Sequence, residues 1–90
     1  MIEHLVPWIG IGAALLTSLS YLPQVQKAWP RGSTSDLSLK MLVVLTSGLV
    51  LWIGYGVLRG DWVIIAANSI GAALSGTVLA FKIRDMRSHR

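Results

Sequence analysis

The sequence predicts an all-α membrane protein, a single bundle of three transmembrane helices, and three observations carry that expectation. Hydrophobic residues make up 53% of the 90 residues and charged ones only 13%, against about 25% charged in ordinary soluble domains. A soluble fold this small has proportionally more surface, so it should carry more charge than average, not half. Three stretches without Asp, Glu, Lys or Arg (5–26, 41–58 and 62–81) account for almost the whole chain. A bilayer core of ~30 Å needs about 20 helical residues, which each stretch approaches or exceeds. No amphipathic partner is available to cover such helices as a soluble core. The wealth of Leu, Ile and Val excludes a disordered tail. The lack of cysteine excludes disulfide scaffolds, thiolate metal sites and thiol catalysis.

The first helix is expected over roughly 5–26. It is not a cleaved signal peptide, because Met1 to His4 lacks a basic leading region. Gly10, Ala14, Thr17, Tyr21 and Gln24 recur at steps of four, three, four and three, which places a small and polar stripe on one face. The small members suit close helix packing. Thr17, Tyr21 and Gln24, like Asn68 in the third helix, need partners or a water-filled cavity at membrane depth. Pro23 frees the carbonyl of Leu19 and invites a kink, so Pro23 and Gln24 form a candidate hinge beside a polar face.

The first connection contains Pro30 and Gly32, which break the helix, and Ser35 or Asp36 is the expected cap of the next one. The second helix is expected over 37–58, with Leu37 to Leu39 extending the uncharged stretch. Arg59-Gly60-Asp61 is a minimal turn, and Gly60 suits the left-handed conformation that ends a helix. The second helix and the third, expected over 62–82, therefore form an antiparallel hairpin. On the third helix Asn68, Ala72, Ser75 and Leu79 share a face with Gly71 and Gly76 beside it, and Ala67, Gly71 and Ser75 form a small-xxx-small ladder.

Basic residues set the orientation. Lys27, Arg31 and Lys40 lie in the first connection and Lys82, Arg84, Arg87 and Arg90 in the C-terminal tail, while the turn has Arg59 alone. The positive-inside rule then predicts an outside N-terminus and a cytoplasmic C-terminus. The net charge of +4 follows from this placement and predicts no nucleic-acid binding, which would need a basic face on a soluble element.

The hairpin singles out two residues. Trp52 and Asn68 are each eight residues from Gly60, so antiparallel helices place them at one depth, roughly 12 Å below the turn. Trp8 and Trp62 suit the membrane interface, where an indole N–H stays wet; Trp52 does not. An indole beside a carboxamide suits a sugar ring, whose C–H patches stack on aromatic faces and whose hydroxyls pair with amides. Trp52, Tyr55 and Arg59 share one helical face at steps of three and four, with Asp61 at its rim. Arg59 and Asp61 also read, about as well, as ordinary solvated turn charges.

The stretch Tyr21-Leu22-Pro23-Gln24, the connection from Trp29-Pro30 to Ser38-Leu39, the Trp52 to Arg59 face and Asn68 resemble the PQ-loop sugar carriers, specifically the bacterial SemiSWEET family. The resemblance covers nearly the full length. It implies a PQ-loop bundle with the third helix packed between the other two, working as a parallel homodimer in the bacterial inner (cell) membrane. It implies that Trp52 and Asn68 bind substrate, that Tyr55, Arg59 and Asp61 form an outer gate, that Pro23 and Gln24 form a hinge, and that Met41 stands at the inner gate. The implied function is facilitated transport of a mono- or disaccharide, glucose- or sucrose-like, by alternating access, with no enzymatic chemistry, cofactor or metal. Passive uniport is expected because no Asp, Glu or His lies in the three spans and His4 and His89 lie near the termini. Asp61 beside Arg59 then serves as a latch rather than a proton carrier. A holin-like pore or a structural membrane subunit shares the composition and topology, but gives no account of Pro23-Gln24 or of the Trp52 and Asn68 pairing.

Overall fold

The computed structural model describes residues 2–88; Met1, His89 and Arg90, the last belonging to the expected basic tail, lie outside them. A 3-10 turn, Glu3–Leu5, leads into three α-helices, α1 (Val6–Ala28), α2 (Leu39–Arg59) and α3 (Trp62–Ser88), with no strand among the described residues. Each helix is long and apolar enough to cross a membrane.

Local chemistry fixes the boundaries. α1 opens with Pro7 in its first turn, where a missing N–H costs nothing, and stays helical through Pro23 to Ala28. Neither Ser35 nor Asp36 caps α2. Ser38 does: its backbone is extended and its side chain accepts a hydrogen bond from the Met41 N–H at 3.1 Å. The shift arises in the connection, where the Leu37 N–H donates to the Thr34 carbonyl at 3.0 Å and holds Leu37 in a turn rather than in α2. Asp36 pairs instead with Lys27, and the Lys27 hydrogen bond holds its carboxyl below the ordinary value. Gly60 is left-handed, at φ +68°. The N–H groups of Asp61 and Gly60 donate to the carbonyls of Gly56 and Val57 at 2.9 and 3.2 Å, the paired bonds that close a helix on a left-handed glycine. α3 continues to Ser88, past the expected end at 82, because Lys82 to Asp85 are bonded to the first connection rather than released into a tail.

α3 is the central helix, and α1 and α2 each pack along it. The result is a single layer, 58 × 24 × 14 Å across its Cα atoms. Along the α2–α3 seam Gly56 lies against Ile64 and Ile65, Leu49 against Gly71, the Thr46 hydroxyl 2.7 Å from that of Ser75, and Leu42 and Val78 share one buried cluster. These pairs are symmetric about Gly60 to within one residue, which fixes the register of the hairpin. α1 runs parallel to α3, with Gly10 opposite Val63 and Tyr21 against Gly71. The buried cluster of Ala28, Leu42 and Val78, flanked by Val25, Leu37, Leu79 and Phe81, sits at the end of the layer that carries the α1–α2 connection. Elsewhere large apolar side chains stay uncovered, Leu16 at 73%, Leu51 at 74% and Leu58 at 88% exposure. Contiguous apolar surface of this extent belongs against lipid or another chain rather than water.

Candidate functional site

A groove runs between α1 and α3 and is closed on one side by Leu49 of α2. Gly10, Ala13, Ala14, Thr17 and Tyr21 line it from α1, and Ala67, Asn68 and Gly71 from α3, around about 290 Å³. Its space comes from the residue sizes: Gly10 and Gly71 face the seam, and a Cβ on Gly10 would lie 3.0 Å from Val63. Four members of the expected α1 stripe are on this groove. The fifth, Gln24, is exposed and makes no side-chain hydrogen bond among the described residues. Tyr21 is buried against Gly71. Asn68 donates from Nδ2 to the Ile64 carbonyl at 2.9 Å, which orients the amide and leaves Oδ1 without a protein partner among the described residues. That is a hydrogen-bonding group held at membrane depth on an apolar wall.

Trp52 stands on α2 at the depth of Asn68, as the seam pairs symmetric about Gly60 require. It is 52% exposed and meets Tyr55 edge to face, ring centres 5.3 Å apart. With Gly48 and Leu51 these rings line an open depression of the α2 surface. Within one chain Trp52 and Asn68 do not line a common cavity. Leu49, which does line the groove, precedes Trp52 by three residues and so neighbours it on the surface of α2. Met41, Gly48, Trp52, Tyr55 and Arg59 follow one another at helical spacing along α2 and are exposed or half-exposed.

Asp61 is occupied differently from the expected latch. Its Oδ1 accepts from the N–H groups of Val63 and Ile64 at 3.1 and 3.3 Å, capping α3, where unsatisfied N–H groups attract a carboxylate. No ion pair joins Asp61 to Arg59 among the described residues, so within one chain Arg59 is an exposed cation at the end of α2. Pro23 is exposed on α1.

A polar cluster with no signature in the sequence lies at the other end of the layer. The Asp85 carboxylate, 4% exposed, receives the N–H of Gly32 at 3.0 Å, and the N–H and hydroxyl of Thr34 at 3.3 and 2.7 Å. Arg84 donates to Asp85 from Nε at 2.9 Å and to the carbonyls of Trp29, Ala28 and Pro30 at 2.8, 3.2 and 3.0 Å. Lys82 donates to the Thr34 carbonyl at 2.9 Å. Among the described residues no group of acidic or histidine side chains could hold a metal ion.

A model of the PQ-loop repeat matches residues 5–65. Three curated relatives align over most of the chain. The sugar transporter SemiSWEET of Bradyrhizobium diazoefficiens is 41% identical over 84 residues, covering 93% of this chain and 98% of that one. The sugar transporter SemiSWEET of Leptospira biflexa is 39% identical over 77 residues, 86% of this chain and 91% of its own. That of Escherichia coli is 30% identical over 78 residues, 87% and 88%. This chain belongs to the SemiSWEET family of PQ-loop proteins. No solved structure matches significantly. In this PQ-loop chain the matched region takes in the groove face of α1, the whole α1–α2 connection, α2 and the turn, while Asn68 and the α3 side of the polar cluster, Lys82, Arg84 and Asp85, lie beyond it.

Proposed function

We propose that the protein is a facilitative sugar transporter, a uniporter that works by alternating access as a parallel homodimer. The observation that carries this reading is the open single layer, which presents Asn68 on a groove and Trp52 half-exposed at the same depth. A groove of about 290 Å³ is at the small end of ligand pockets, which run from about 300 to 1,000 Å³. One chain thus supplies part of a sugar site and leaves a polar amide facing lipid, which is unfavourable. Two layers set face to face enclose the path, stack a sugar between two indoles and offer it two amides. The substrate class is a glucose- or sucrose-like mono- or disaccharide.

In this reading the Gly60 turn faces outside and the α1–α2 connection faces the cytoplasm of a bacterial cell, as the basic residues direct. Tyr55, Arg59 and Asp61 surround the outer mouth. Because Asp61 spends one oxygen on its own helix, the latch forms between copies, Arg59 of one meeting the remaining Asp61 oxygen of the other. Met41, at the opposite end of the same α2 row, narrows the inner mouth, and Pro23 with Gln24 is the hinge. Asp85 is a buried acid, but the donors around it come from the protein itself, so it offers no alternating proton site and the case for uniport is unchanged.

Purified protein in liposomes tests the proposal. Saturable sugar uptake that stops at equilibration, with or without a proton or sodium gradient, is expected. Accumulation driven by either ion removes the uniport assignment, and a leak open to all small solutes favours the holin-like pore.

A further inference from the structure

Pro23 divides α1 into two segments that are held very differently. From Val6 to Leu22 no hydrogen bond joins α1 to α3 among the described residues, and the contacts there are small-residue contacts beside the groove. Past Pro23 only Gln24 to Ala28 remain helical, and this short end is fastened to α2 and α3 through Val25 and Ala28. Val25 and Ala28 pack in the apolar cluster with Leu42 and Val78. The Arg84 guanidinium, 4.7 Å over the Phe81 ring, caps the Ala28 carbonyl at the end of α1 and those of Trp29 and Pro30 just beyond it. A cation at a helix C-terminus is also where the peptide dipoles favour it. Asp85 then holds the connection itself through Gly32 and Thr34, and its bond from Arg84 joins the two halves of the clamp. Charge-assisted bonds of this kind are roughly twice as strong as neutral ones.

We infer that Asp85 and Arg84 are positioning residues that make the segment from Gln24 through Thr34 one body with the end of α3, so that bending at Pro23 moves this whole body. The inference rests on the alternating-access reading above. With the clamp intact, a bend at Pro23 is delivered to the central helix and to the inner mouth together. With the clamp broken, the same bend swings only a loose helix end, and the conformational exchange slows while the sugar site itself, built from Trp52 and Asn68, is untouched. Asp85→Asn replaces one acceptor oxygen by a donor that faces other donors. Thr34→Val removes a single hydroxyl of nearly the same shape, and Thr34→Ser keeps that hydroxyl.

The chain has no cysteine, so Ser35→Cys with Arg87→Cys, both exposed, gives a clean spin-label pair across the clamp in the full protein diluted with unlabelled chain. The expected result is a narrow distance distribution, the same with and without glucose or sucrose, that broadens in Asp85→Asn and less so in Thr34→Val. In liposomes the maximal exchange rate should fall at least about fivefold in Asp85→Asn, the scale set by losing a hydrogen bond to a buried charge. Half-saturation should stay within about twofold, and Thr34→Ser should restore both readouts. A wild-type distance that shifts with sugar, or an Asp85→Asn protein with a narrow distance or a full exchange rate, overturns the inference. If Asp85→Asn does not insert, Thr34→Val decides by the same two readouts. Absence of sugar flux in the wild type defeats the transport reading, and the distance measurement still decides whether the clamp makes one body.

Discussion

A half-exposed indole and a half-satisfied amide, both at membrane depth, are the residues on which the functional reading turns. Trp52→Ala removes the stacking platform but touches none of the seam residues, so the protein should still insert and associate. Sugar flux should vanish; normal uptake at normal expression would remove Trp52 from the site. Asp61 needs two substitutions, because it caps α3 and is proposed to close the outer mouth. Asp61→Ala loses the cap and should cost about 1 kcal/mol in a detergent unfolding assay. Asp61→Asn keeps a capping oxygen and removes only the charge, so it should unfold like the wild type while altering flux. If Asp61→Asn transports normally, Asp61 is a cap and nothing more. Trp52 and Asn68 were legible in the sequence because hairpin symmetry places them without any side-chain knowledge. Asp85 was not, since it stands in a basic run and three of its four hydrogen bonds come from Gly32 and Thr34, more than fifty residues earlier, two of them from backbone N–H groups, which leave no mark on composition or spacing.

At the scale of the element, the α2–α3 seam is the tightest contact in the chain. A Cβ on Gly56 would lie 2.9 Å from Ile64 Cγ2, 3.0 Å from Ile65 Cγ1 and 3.2 Å from the Ile65 backbone nitrogen. Backbone cannot step aside as a side chain can, so Gly56→Ala should separate the helices and destabilise by about 1–3 kcal/mol, the usual cost of overpacking. Gly54→Ala, with nothing within 4 Å, is the control and should be neutral or slightly stabilising through helix propensity. Equal unfolding of the two variants would refute this seam. Pro23→Ala restores a helix hydrogen bond, and under the hinge reading it should slow exchange between the open states without disturbing the fold. Equal transport at equal expression would count against the hinge. The helices were readable from their uncharged lengths and the turn from Arg59-Gly60-Asp61, but the start of α2 was not. Ser35, Asp36 and Ser38 are all competent caps by type, and a hydrogen bond inside the connection, from Leu37 to Thr34, decides among them.

The whole molecule is one layer thick, and that dimension bears most directly on how it works. Trp8 near the start of α1 and Trp29 just past its end, both exposed, are 21 residues apart, about 31 Å at the helical rise, which matches a bilayer core. The layer therefore spans but encloses nothing, and transport requires a second copy or another partner across the groove face. A carrier and a pore built from such layers differ in one respect that can be measured without knowing the structure of either. The most direct measurement is counterflow: proteoliposomes preloaded with unlabelled glucose or sucrose are diluted into a trace of the same sugar carrying a radiolabel. An alternating site exchanges one sugar for another, so labelled sugar should transiently accumulate inside above its outside concentration, saturably, and the overshoot should be absent in Trp52→Ala. Labelled sugar that only equilibrates without an overshoot, or that does not enter at all, would contradict an alternating-access sugar carrier.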